Sequence, residues 1–135
     1  MRTLPDLPRV IKKREADITP RVLKWFSKNF HDNVAIEIKA TQTNSIPQSV
    51  LKDHQRKALL QVATEHGITY KISDTGHVRL PFDAFQLKNT QAFVVACFTK
   101  KGVCFAIEPR KWKGAKYDPS SNGSITAQCA FSFKL

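Results

Sequence analysis

Glycine is scarce in this chain, five in 135 residues, and its scarcity removes several kinds of chemistry. There is no P-loop and no GxGxxG, so no glycine-built cradle exists for a nucleoside triphosphate or a dinucleotide. Serine and threonine are plentiful, but no GxSxG places one on a nucleophile elbow. The three cysteines, Cys97, Cys104 and Cys129, are odd in number and lack CxxC spacing. Neither a disulfide framework nor a zinc knuckle fits them. Cys97 and Cys104 lie in apolar runs and read as core thiols, which suits a reducing compartment. His31, His54, His66 and His77 form neither HxH nor HExxH, so a histidine-built zinc site is not expected. His54 reads as an exposed helix residue or as a neighbour of a metal site. No apolar run approaches the roughly 20 residues of a membrane span, and the N-terminus lacks the apolar core of a secretory signal. A cytoplasmic protein with no membrane partner is expected.

Acidic residues are also few. Lys and Arg number 22 against 11 Asp and Glu, a net charge of +11. The excess is uneven: residues 1–30 carry eight basic and three acidic residues, and residues 109–135 carry five and one. The 78 residues between contribute only the remaining +2. A basic excess gathered in two segments implies a polyanionic partner, nucleic acid first. A solvated basic surface or an acidic protein partner is the alternative.

The length fits one domain with one sizeable core. Residues 1–13, with Pro5, Pro8, Lys12 and Lys13, read as a basic N-terminal arm, and 14–135 as the domain. Apolar spacing of Val22, Leu23, Trp25, Phe26 and Phe30 predicts a helix within 14–30. Thr19-Pro20 suits its N-cap and first turn; an earlier start would make Pro20 a kink. Residues 33–41 alternate as a strand and 42–49 read as a polar loop. Val50–His66 reads as a helix stopped by Gly67, and Ile68–Ile72 as a short strand. Asp74-Thr75-Gly76 is a turn, and Val78–Phe85 is irregular or edge-like because of Pro81. Ala92–Phe98 and Val103–Ile107 flank a glycine-containing loop and form the clearest strand pair. Residues 109–124 read as a basic connection and 125–133 as a last strand. This order predicts an α/β (α+β) domain, a small mixed sheet flanked by helices.

Within the 33–41 strand, Glu37 and Lys39 stand two residues apart. Their side chains therefore share a face, roughly 7 Å apart along the strand. Charges in an otherwise apolar strand cost several kcal/mol if buried without partners or metal. A solvated Glu/Lys face on an edge strand is the ordinary alternative.

In the order KREAD (residues 13–17), AIEIKAT (35–41) and KDHQ (52–55), followed by VRLPFDAF and AFVVACFTKKGVCFAI, the chain resembles the PD-(D/E)XK nuclease superfamily. Residues 12–112 look closest to phage and bacterial Holliday-junction resolvases and related phage nucleases. The resemblance implies a reduced restriction-endonuclease-like core and a metal-dependent DNA endonuclease acting on branched or duplex DNA in a bacterial or phage-infected cell. Resolving a junction cuts two strands, which calls for a symmetric homodimer. Carried onto this sequence, Glu37 and Glu15 are metal carboxylates and the Ile38 carbonyl a further ligand. Lys39 orients water or stabilises phosphate charge, and Gln55 touches the site or the DNA backbone. Mg²⁺ or Mn²⁺ is the implied cofactor, since hard cations take oxygen ligands and activate water. Lys12, Lys13 and Arg14, with Arg110, Lys111, Lys113 and Lys116, are the expected phosphate contacts.

One part of the family pattern is missing. An Asp normally precedes the ExK strand on a hairpin, and here the first helix runs almost directly into that strand. Asp32 has the wrong side-chain parity, and Asp17 stands two residues from Glu15 on a helix. A residue outside the motif, Asp83 among the candidates, or a second protomer replaces the Asp, or metal binding is weak or absent. A non-catalytic DNA-binding relic of the same fold and a basic protein-binding phage-type protein therefore stay open. So does the role of Trp112 among Arg110, Lys111 and Lys113: stacking on a base or packing on the sheet.

Overall fold

The computed structural model describes residues 15–72, 81–118, 124–125 and 129–135, with backbone alone for Glu15, Ala16, Ser124 and Ile125. The arm at 1–13, Arg14 and the turn at 74–76 lie outside the described residues.

Helix α1 (Glu15–Asn29) leads into strand β1 (Val34–Thr41), as the periodicity predicts. The helix starts earlier than Thr19-Pro20 would place it, and Pro20 lies inside. Proline there removes one helical N–H, a loss confined to the first turns. After a short β2 (Ser45–Ile46) and a 3-10 turn (Gln48–Val50) comes α2 (Asp53–Gln61). α2 is shorter at both ends than the apolar pattern suggests. Gln55 Oε1 accepts the Lys52 backbone N–H at 3.0 Å and starts the helix there. The lysine side chain carries no acceptor, so only the glutamine half of a capping box is made. At the other end, Thr64 Oγ1 accepts the Gly67 N–H and Gln61 Nε2 donates to the Gly67 carbonyl. These bonds close the chain into a turn before β3 (Ile68–Lys71).

β3 pairs antiparallel with β4 (Ala84–Leu87), a strand hidden from the sequence by the nearby proline. β5 (Gln91–Phe98) and β6 (Val103–Ile107) form the expected hairpin. A 3-10 turn (Pro109–Lys111), β7 (Ala115–Asp118), β8 (Ser124–Ile125) and β9 (Phe131–Lys134) complete the chain. The basic connection thus contains two strands, and the last strand is four residues rather than nine.

The main sheet has the order β1-β5-β6-β9, with β1 parallel to β5 and the other pairs antiparallel. The fold is α+β, with a small mixed sheet covered on both faces. On one face Ile18, Val22 and Phe26 of α1 meet Ile38, Phe93, Val95 and Phe133. On the other, Leu59 and Val62 at α2, Ile46, Trp112 and Ala115 meet Val94, Ala96, Phe98 and Ile107. The uniformly apolar β5 follows from being covered on both sides: Val94 to Phe98 are all fully buried. Burying such a Val or Phe side chain stabilises by about 1.5–3 kcal/mol.

Trp112 is core, 1% exposed, and its Nε1 donates to the Gln48 carbonyl at 3.0 Å. Of the two roles open for Trp112, packing on the sheet is the one found: the ring faces the sheet, and its neighbours Lys111 and Lys113 are exposed. Gly114 permits this packing. Its φ is +85°, and a Cβ there would sit 2.7 Å from the Ile46 carbonyl oxygen. Cys97 and Cys104 are buried directly opposite one another, as core thiols should be, with Sγ atoms 2.7 Å apart; Cys129 is exposed.

Candidate nucleic-acid and metal site

Alternation along β1 turns Glu37 and Lys39 to the α2 face and Ile36 and Ile38 to the α1 face. Beneath the first turn of α2, Glu37 Oε2 accepts a hydrogen bond from Gln55 Nε2 at 3.2 Å. Lys39 Nζ lies 3.4 Å from the same oxygen. Gln55 is itself oriented by the Lys52 N–H on its other amide atom, so the helix start and the carboxylate are one linked feature. The Glu37 side chain stays 29% exposed while that of Lys39 is 9% exposed. An ammonium has three donors, and among the described residues Glu37 is its one ion-pair partner. A nearly buried cation with donors to spare favours a further anion.

The backbone adds an acceptor. The Thr41 carbonyl accepts the Thr99 N–H at 2.9 Å, which directs the odd residues of β1 toward β5. By alternation the carbonyls of Ile36, Ile38 and Ala40 face the outer edge of β1. No strand pairs with that edge among the described residues. Glu37 and the Ile38 carbonyl are thus oxygen atoms of the kind a hard cation takes, with Ile38 itself only 9% exposed.

Of the expected site residues, Glu37, Lys39 and Gln55 are brought together. Glu15 is the first residue of α1, which packs on the opposite face of the sheet, and its side chain lies outside the described residues. Among the described residues, no three His, Cys, Asp or Glu side chains gather as a metal group. Asp83 is exposed beside β4, and His54 is exposed on α2.

The basic segment lies on the α2 side. Arg110 and Lys111, 74% and 48% exposed, belong to the 3-10 turn that packs on α2, and Arg56 Nη2 donates to the Arg110 carbonyl. Lys113 is exposed in the loop that follows, and Lys116 is exposed on β7 opposite Ser45. A cleft of about 470 Å³ lined by Gln48, Ser49, Asp53, Arg56 and Trp112 runs beside this segment. Lys12, Lys13 and Arg14 lie outside the described residues.

Two features escaped sequence reasoning. Arg56 belongs with the basic cluster, and its position next to Gln55 on the helix was the available signal. Glu108 holds Arg110 at 3.3 Å and Lys111 at 3.4 Å. The Arg110 hydrogen bond, then the Lys111 charge, holds its carboxyl below the ordinary 4.5. The Glu-Pro-Arg-Lys spacing would have shown that clamp.

No protein-family model, curated protein or solved structure matches the chain. Among the described residues no helix is long and apolar enough to cross a membrane.

Proposed function

We propose that this chain is a metal-dependent DNA endonuclease of the PD-(D/E)XK kind, with a reduced restriction-endonuclease-like core and its site beneath the first turn of α2. The observation that carries the reading is Lys39: its side chain is nine-tenths buried, it pairs with Glu37 alone among the described residues, and it stands at an open sheet edge. That arrangement suits a phosphate oxygen, with Lys39 as a fixed positive charge where negative charge builds during phosphodiester hydrolysis. Gln55 keeps Glu37 in place, and Arg56, Arg110, Lys111, Lys113 and Lys116 supply phosphate contacts on the same side of the sheet. Glu37 and the Ile38 carbonyl would hold Mg²⁺ or Mn²⁺, with Glu15 the further carboxylate that the resemblance calls for. The chemistry such a cation would supply there is polarisation of the phosphodiester and activation of water. Branched DNA is the first substrate to test.

The test is a cleavage assay on branched, duplex and single-stranded DNA with Mg²⁺, Mn²⁺ or chelator. Metal-dependent cutting by the parent and none by Lys39→Ala is expected. A second reading, a DNA-binding protein without catalysis, is favoured by one observation: Glu37 stands without two further acidic, histidine or cysteine partners among the described residues. Binding without cutting any DNA form with either metal decides for it.

A further inference from the structure

The free edge of β1 presents the N–H and C=O groups of Ile36, Ile38 and Ala40, without a partner strand among the described residues. An eight-residue strand with such an edge is a template for another strand. The charges on its α2 face decide which strand fits. A lone inward charge discourages edge pairing. Glu37 and Lys39, opposite in sign and two residues apart, admit the register that sets each against its opposite.

We propose that β1 is an interface between two copies of this chain, paired antiparallel about a two-fold axis through Ile38. A two-fold axis normal to the sheet makes the two edges antiparallel and the contact self-complementary. The outward-facing residues are the even ones, so Ile38 meets Ile38 of the second copy as a hydrogen-bonded pair, and Ile36 meets Ala40. The same register sets Glu37 across from Lys39 of the second copy, twice. It gives the under-partnered Lys39 a second carboxylate. Centring the axis on Glu37 instead would oppose two carboxylates, and centring it on Lys39 two ammonium groups. Directly opposed like charges on a sheet are destabilising. The result is a continuous sheet across the two copies, apolar on its α1 face. The pairing also takes up the Ile38 carbonyl and the Lys39 ammonium, so paired chains and chains holding metal and phosphate at this edge are alternatives. The pairing does not depend on whether the site cuts DNA.

Sedimentation equilibrium of the full chain, without nucleic acid and at low salt, tests the pairing. The parent is expected to be dimeric at about 100 μM or below. Lys39→Glu should weaken the dimer on the order of tenfold or more, since both cross-strand pairs become repulsive. The Glu37→Lys/Lys39→Glu double variant should restore it, because exchanging the two charges preserves the complementarity. Ala40→Pro removes one outward N–H at an edge position, where proline is tolerated, and should give a monomer with parental circular dichroism. If Lys39→Glu does not fold, the double variant and Ala40→Pro decide. A parent that stays monomeric, or a dimer that Ala40→Pro leaves unchanged, overturns the proposal.

Discussion

Lys39 and Glu37 show how two residues in one strand take different environments on the same face. Glu37 is partly open and held by a helix-borne amide, whereas Lys39 is almost enclosed. Their removal should therefore act in opposite directions on DNA affinity measured without metal. Glu37→Ala deletes a negative charge beside the proposed phosphate position and should keep or raise affinity by roughly two- to fivefold, whereas Lys39→Ala should lower it by a similar factor. Fluorescence anisotropy with labelled DNA measures both, and equal changes of one sign would contradict the assignment. Both variants should lose cleavage while keeping the parental fold. Trp112 supplies the contrasting case. With the ring buried and its N–H bonded to Gln48, Trp112→Ala should cost about 3–5 kcal/mol of stability. The milder Trp112→Phe should leave DNA affinity within about twofold of the parent, since the ring faces the core rather than a base. Urea unfolding and binding titrations on the same samples separate the two effects.

Among elements, the 3-10 turn at Pro109–Lys111 carries basic charges that a neighbouring carboxylate offsets. Arg110 and Lys111 lower the Glu108 carboxyl below its ordinary 4.5. The ion pairing is therefore complete above that ordinary value and is lost as pH falls through the lowered one. At neutral pH Glu108 offsets part of the basic surface. Glu108→Gln should raise DNA affinity roughly threefold at pH 7. The parent should gain extra affinity below pH 4.5 that the variant lacks, so the difference between the two titrations isolates this carboxylate. The turn between α2 and β3 depends on backbone geometry instead. Gly67 has φ +65°, and a Cβ there would lie 2.0 Å from the Leu87 carbonyl oxygen. Gly67→Ala should destabilise by at least about 2 kcal/mol, since both the left-handed φ and the contact oppose it. Thermal unfolding checks this, and a change under about 0.5 kcal/mol would mean that the β3–β4 ribbon shifts freely.

For the whole molecule, the proposed DNA binding would rest on the net charge of +11 and on the basic segment on the α2 side. Counterion release from some four or five phosphate contacts predicts a slope of log affinity against log salt of about −4. The double variant Lys113→Ala/Lys116→Ala should reduce that slope by about 2 while leaving sequence preference unchanged. A binding constant indifferent to salt would point to a protein partner.

The sequence alone determined the features that rest on local pattern. Alternation marked β1, β5 and β6, and the 3.6-residue period marked α1. The two-residue spacing set Glu37 and Lys39 on one face, and composition identified the basic segments. Helix limits were less legible, because α2 begins at a side-chain-to-backbone bond from Gln55 and ends in a turn closed by Gln61 and Thr64. Short strands such as β2, β4 and β7 have no period to read, and they exist because a partner strand lies beside them. Only the tertiary structure decided that Gln55 meets Glu37, that α1 packs on the other face, and that Trp112 points inward. Pattern along a chain fixes which way a side chain points relative to its own strand or helix. What lies across from it depends on contacts between residues far apart in sequence: Gln55 and Glu37 are 18 apart, and Trp112 and Gln48 are 64 apart.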